Sequence, residues 1–73
     1  NNNETTIRMR WNYAEALYKD PAATHDDLRE AVTTLEDTER IAKRVLGGAH
    51  PLTMDIENAS QDARAALYAR GLP

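Results

Sequence analysis

The sequence predicts an all-α fold of three helices. Its glycines and prolines cluster at three places: Pro21, residues 47–51 and residues 71–73. The segments between these clusters lack the two strongest helix breakers, and their apolar residues recur at three- and four-residue spacing. No segment alternates between apolar and polar residues over the length of a strand, so we expect no strands.

The first helix is predicted from about residue 6 to residue 19, after a polar tail at residues 1–5. Thr5 or Thr6 could cap its start by accepting a backbone N–H bond. The stripe that would face the core comprises Ile7, Trp11, Ala14, Leu17 and Tyr18. A second apolar strip comprises Met9, Tyr13 and Ala16. A helix that is apolar on two sides usually lies between neighbours, so this strip indicates stacking.

The second helix is predicted from about residue 25 to residue 46. Thr24 is the expected N-cap, and Asp26 and Asp27 place carboxylates at the positive end of the helix dipole. Gly47 follows at the position where a helix commonly ends in a residue of left-handed conformation. The expected core stripe comprises Leu28, Ala31, Val32, Leu35, Ile41 or Ala42, Val45 and Leu46.

The third helix is predicted from about residue 51 to residue 70. Pro51 suits a first helical turn because its missing N–H would find no partner there in any case. The stripe comprises Leu52, Ile56, Ala59, Ala63, Ala66 and Leu67. Its small residues allow close packing against the second helix. Gly71 is the expected cap after the helix, and Pro73 beyond it marks a stop, so residues 6–73 form one helical domain.

Composition excludes several classes of function. The chain has 73 residues, a net charge of −3 and no cysteine, so disulfides and thiolate metal sites are absent. A nucleic-acid surface would need a basic stripe, and a membrane span would need ~20 apolar residues in a row. The two histidines are far apart in sequence, which argues against a metal site. No acid–base or nucleophile motif is present, so we expect no enzyme and no cofactor.

Three segments together resemble one protein family. Residues 11–18, Trp-Asn-Tyr-Ala-Glu-Ala-Leu-Tyr, resemble the first helix of a tetratricopeptide repeat. Residues 28–32, Leu-Arg-Glu-Ala-Val, resemble the start of its second helix. Residues 44–51, Arg-Val-Leu-Gly-Gly-Ala-His-Pro, resemble the turn that ends the longer second helix of repeats of the kinesin-light-chain type. The resemblance implies one complete repeat, as an antiparallel helical hairpin, followed by the first helix of the next.

Two features depart from the family pattern. The link at residues 20–24 is about five residues longer than the usual turn, and Thr38 replaces a small alanine. In such repeats the first helices line a concave binding surface. The resemblance therefore makes Arg8, Trp11, Asn12, Glu15, Tyr18 and, on the third helix, Asn58 the candidate partner-binding residues. Trp11 has a second interpretation as a core residue.

The expected function is a non-enzymatic interaction or scaffold module that holds a partner peptide or helix. The alternatives are a structural or linker subunit docked permanently in a larger complex, and a self-assembling helical repeat. All three would supply a packing neighbour that the chain lacks. Stable stacking usually requires about three repeats, and this chain has one and a half. The sequence names no partner and no compartment; an intracellular, cytoplasmic protein is the default, and an organelle assembly stays open.

Overall fold

The computed structural model describes residues 2–71 and confirms an all-α architecture. It contains α1 (Asn2–Lys19), α2 (His25–Val45) and α3 (Pro51–Gly71), and no strand lies within those residues. The described part extends 41 Å along its longest axis and 18 and 15 Å across. The order and the number of helices are those predicted from the glycine and proline clusters.

The start of α1 corrects the prediction of a polar tail. The helix begins at Asn2, so Thr5 and Thr6 lie inside it and do not cap its start. Nothing in residues 2–5 breaks a helix, and Glu4 in the first turn meets the positive end of the dipole. Glu4 also accepts a bond from Arg8 at 3.1 Å across one turn, which holds these residues helical. Asn1 lies outside the described residues.

Both ends of α2 follow the chemistry expected from the sequence. The Thr24 hydroxyl accepts from the Asp27 N–H at 3.1 Å, and the Asp27 carboxylate accepts from the Thr24 N–H at 3.0 Å, which completes a capping box. At the other end the helix stops at Val45, one residue earlier than predicted, and Leu46 is the cap. Gly47 adopts a φ of 94°, and its N–H bonds to the Ala42 carbonyl at 3.2 Å.

The core lies on both sides of α2. α2 packs extensively against α1 and against α3, whereas α1 and α3 touch each other only slightly. Two ion pairs show how α3 runs relative to α2: Lys43 lies 3.3 Å from Glu57, and Glu36 lies 3.4 Å from Arg64. As α2 runs forward α3 runs backward, so the two helices are antiparallel.

The buried set matches most of the predicted stripes. The fully buried apolar residues of the helices are Ile7, Ala14, Leu28, Ala31, Val32, Leu35, Ala42, Leu52, Ile56, Ala59 and Ala63. Trp11, Leu17, Tyr18, Ile41, Leu46 and Leu67 pack around them while partly exposed. Val45, predicted to be core, is 41% exposed because the helix is ending there.

Polar residues occupy core positions that an apolar periodicity search overlooks. Thr38, Thr53 and Ser60 are completely buried. The Thr38 hydroxyl donates to the Thr34 carbonyl at 2.6 Å, and Ser60 accepts from Arg64 at 2.8 Å, so both are satisfied locally. The Thr53 hydroxyl has no partner among the described residues, which carries the cost of an unmade hydrogen bond.

The junctions around α3 contain one confirmation and one correction. Pro51 begins the helix as expected, and the His50 ring caps it, since its Nδ1 accepts from the Leu52 N–H at 3.1 Å. Gly71, predicted to be a cap beyond the helix, is its last residue and lacks a positive φ. The Arg70 guanidinium donates to the Ala23 carbonyl, which ties this end of α3 to the link before α2 and favours one more helical residue. Pro73 lies outside the described residues.

Replacing Gly47 with alanine should destabilise the fold. A φ of 94° costs an L-residue about 1–2 kcal/mol, and the loss should appear in a chemical denaturation curve. Gly48→Ala is the matched control, because Gly48 lacks a positive φ and an added Cβ meets nothing within 4 Å. The control should be neutral or up to ~1 kcal/mol more stable. Equal effects at the two positions would contradict the left-handed cap.

Candidate partner-binding surface

The five candidate residues of α1 lie along one side of the helix. Arg8 is followed three and four residues later by Trp11 and Asn12, and Glu15 and Tyr18 follow at further three-residue steps from Asn12. Arg8 is exposed and paired with Glu4, and Glu15 is half-buried and paired with Lys19 at 3.2 Å. Two of the candidate charges therefore already have partners within α1.

The two aromatic candidates are anchored in the core. Trp11 and Tyr18 are half-buried and pack around the fully buried residues. The Trp11 Nε1 is enclosed and has no acceptor among the described residues. This indole thus contributes apolar packing at the cost of an unmade hydrogen bond. The core interpretation of Trp11 fits this placement, and the exposed part of its ring leaves a role in binding open.

The two asparagines are the candidates with unused hydrogen-bonding groups. Asn12 on α1 and Asn58 on α3 are both exposed, and neither side chain has a hydrogen-bond partner within residues 2–71. An amide offers two donors and an acceptor, so both can engage the backbone of a bound peptide. Asparagine in mid-helix also lowers helix propensity, and local stability does not explain its presence.

α1 and α3 approach each other near Tyr18. Burial raises the pKa of Tyr18 above 10.0, and the charges of Glu15 on α1 and Asp62 on α3 raise it further, against the opposing effect of Lys19. The hydrogen bond and charge of Glu15 raise the pKa of Lys19, to which Asp62 adds a smaller effect. Asp62 therefore lies close enough to act on α1, so the two outer helices come near each other at this end.

A second surface on α1 was not among the predicted binding residues. Met9 and Tyr13 point away from the core and remain 66% and 52% exposed. The Tyr13 hydroxyl donates to the Glu30 carboxylate of α2, which holds the ring in place while leaving much of it open. The sequence signal was present, since Met9, Tyr13 and Ala16 formed the second apolar strip of this helix.

α3 also carries exposed apolar side chains on the side that faces away from its core stripe. Met54 is 53% exposed and Tyr68 is 71% exposed. This surface was not predicted, because single apolar residues separated by polar ones form no continuous strip. Single exposed apolar side chains are common on protein surfaces, so Met54 and Tyr68 by themselves do not mark an interface.

Pockets and clusters of metal-ligating residues are absent from the described part of the chain. Residues 2–71 contain no pocket and no group of three or more histidines and carboxylates that could hold a metal ion. None of the three helices, within the same residues, has the length and apolar character needed to cross a bilayer.

Comparison of the chain with protein-family models, with curated proteins and with solved structures gives no match. The resemblance to tetratricopeptide repeats of the kinesin-light-chain type accordingly rests on the three sequence motifs. The all-α architecture stands independently of it.

The bond between Tyr13 and Glu30 makes the titration of Tyr13 testable. The hydrogen bond to Glu30 and the charge of Glu30 raise the pKa of Tyr13 above 10.0. Glu30→Gln should lower that pKa, which can be measured from the ultraviolet absorbance of tyrosinate. The native fold favours the protonated Tyr13 phenol. The contribution of this bond to the free energy of unfolding is therefore fully present below the unfolded pKa of about 10, and it is lost as pH rises through the folded pKa.

Glu39→Gln is the matched control for this titration, since Glu39 pairs with Lys43 on the same helix and has no bond to a tyrosine. It should leave the Tyr13 titration unchanged. A Tyr13 pKa that Glu30→Gln does not lower would show that the bond is not formed in solution.

Proposed function

We propose that this chain is a non-enzymatic protein–protein interaction module of the tetratricopeptide type, which binds a partner peptide or helix along α1 and α3. The observation that carries the proposal is the pair of exposed asparagines, Asn12 and Asn58, with amide groups unused within the described chain. Trp11 and Tyr18 lie beside Asn12 on α1 and supply apolar area that is partly open.

The form of the surface supports a peptide or helix as the ligand. Small ligands need concave pockets, and none lies within residues 2–71, whereas the extended surface along α1 and α3 suits a peptide or helix. Arg8, Glu15 and Lys19 add both signs of charge along its α1 side. Such a rim favours a partner of mixed charge that presents apolar side chains at helical spacing.

The test is to select binding peptides from a displayed random library and to titrate them into the chain while recording tryptophan fluorescence. Trp11 is the sole tryptophan, so a change in its emission reports binding on α1. Asn12→Ala combined with Asn58→Ala should weaken binding by about tenfold, since an unmade hydrogen bond in an interface costs ~1–3 kcal/mol.

Thr33→Ala is the control for the double variant, because Thr33 is exposed on α2 and lies outside the predicted set. It should leave the affinity unchanged. Selected peptides that bind without moving Trp11 emission, or with full affinity for the double variant, would place the binding surface elsewhere.

A structural subunit is the second candidate, and the exposed Met9, Tyr13, Met54 and Tyr68 favour it. The two candidates differ in how the dilute chain behaves. A module should keep its helical circular dichroism on dilution and melt cooperatively at a temperature independent of concentration. A permanently docked subunit should lose helicity on dilution, because a core this small supplies only roughly 3–5 kcal/mol.

A further inference from the structure

The exposed methionines of α1 and α3 lie in matching local settings. Ile7 and Leu52 are buried against α2, and the residue two positions later, Met9 or Met54, is exposed. The residue after each methionine is charged, but with opposite sign: Arg10 on α1 and Asp55 on α3. The two outer helix faces therefore present the same apolar side chain beside complementary charges.

These two charges have no partner within residues 2–71. The ion pairs of residues 2–71 use the neighbouring charges, with Arg8 bound to Glu4 and Glu57 bound to Lys43, whereas Arg10 and Asp55 form none. Counted over each helix, α1 carries three cations and two carboxylates, and α3 carries two cations and three carboxylates. The α1 side is net positive and the α3 side net negative.

We propose that the partner of these faces is a second copy of this chain, with α1 of one copy packed antiparallel on α3 of the next. Each charge follows its methionine by one residue, so antiparallel helices that meet at Met9 and Met54 place Arg10 and Asp55 on the same side of the contact. Tyr13, one turn after Met9, then lies over the exposed Pro51 at the start of α3.

The signs of charge favour this arrangement over symmetric pairing. A symmetric α1–α1 contact at Met9 brings Arg10 towards its own copy, and an α3–α3 contact at Met54 does the same with Asp55. An α1–α3 contact joins opposite signs. Because it uses two different surfaces, each assembled pair retains one free α1 face and one free α3 face, so copies add in a row or close into a ring.

The inference goes beyond the proposed function, because it assigns a second copy of the chain to faces that adjoin the Asn12 and Asn58 surface: Met9 lies three residues from Asn12, and Met54 lies four residues from Asn58. The contact spans only a few helical turns, so association should be weak and reversible between copies that are already folded. Circular dichroism should show the same helicity before and after association.

The experiment is sedimentation equilibrium at low ionic strength on the natural chain, Arg10→Asp, Asp55→Arg and the double swap. The natural chain should associate with rising concentration. Each single reversal should raise the dissociation constant by about fivefold, because an attraction becomes a repulsion between exposed charges. The double swap should restore the natural value. An equimolar mixture of the two single variants should also associate, with the copies alternating.

Apolar variants give an independent readout. Met54→Ser should weaken association, whereas Tyr68→Ser should not, although Tyr68 is the more exposed side chain. A natural chain that stays monomeric and folded at every concentration would overturn the self-docking and leave peptide binding at Asn12 and Asn58 standing. Association that Asp55→Arg leaves unchanged would also overturn it, and would indicate symmetric α1–α1 pairing.

Discussion

α2 is the element on which the rest of the structure depends. α1 and α3 contact each other only slightly, so each of them is held by its packing against α2. α2 buries Leu28, Leu35 and Ala42 along its length. Two ion pairs join α2 to α3, which runs antiparallel to it. A helix that packs against two neighbours must be apolar over a wide arc. The polar Thr38 lies within this arc, and its hydroxyl is satisfied there by a hydrogen bond to the backbone of α2.

This dependence also sets where function can reside. α2 packs against one side of α1 and one side of α3. The remaining sides of these two outer helices can face solvent or a partner. Asn12 and Asn58 lie on these remaining sides with unused amides, and Met9 and Met54 lie there with exposed apolar chains. A small core of this kind gains stability from any partner that binds the folded state.

The sequence predicted the fold well wherever local chemistry decides the structure. The Thr24 cap, the left-handed Gly47 and the start of α3 at Pro51 each depend on a few adjacent residues. Two helix ends were predicted less well. α1 begins at Asn2, where residues 2–5 continue the helix and Glu4 pairs with Arg8, and α3 includes Gly71 beside an arginine that binds the link before α2.

The sequence by itself determined three helices, their order, the helix ends at Thr24, Gly47 and Pro51 and most of the core, because periodicity and turn chemistry are local properties. It also determined that α1 carries a second apolar strip beside its core stripe. Only the tertiary structure decided which of those residues are covered. Met9 and Tyr13 have the same helical spacing as buried residues, yet they are exposed because α2 occupies the other side of α1. Burial depends on where the neighbouring helix lies, and no single segment contains that information.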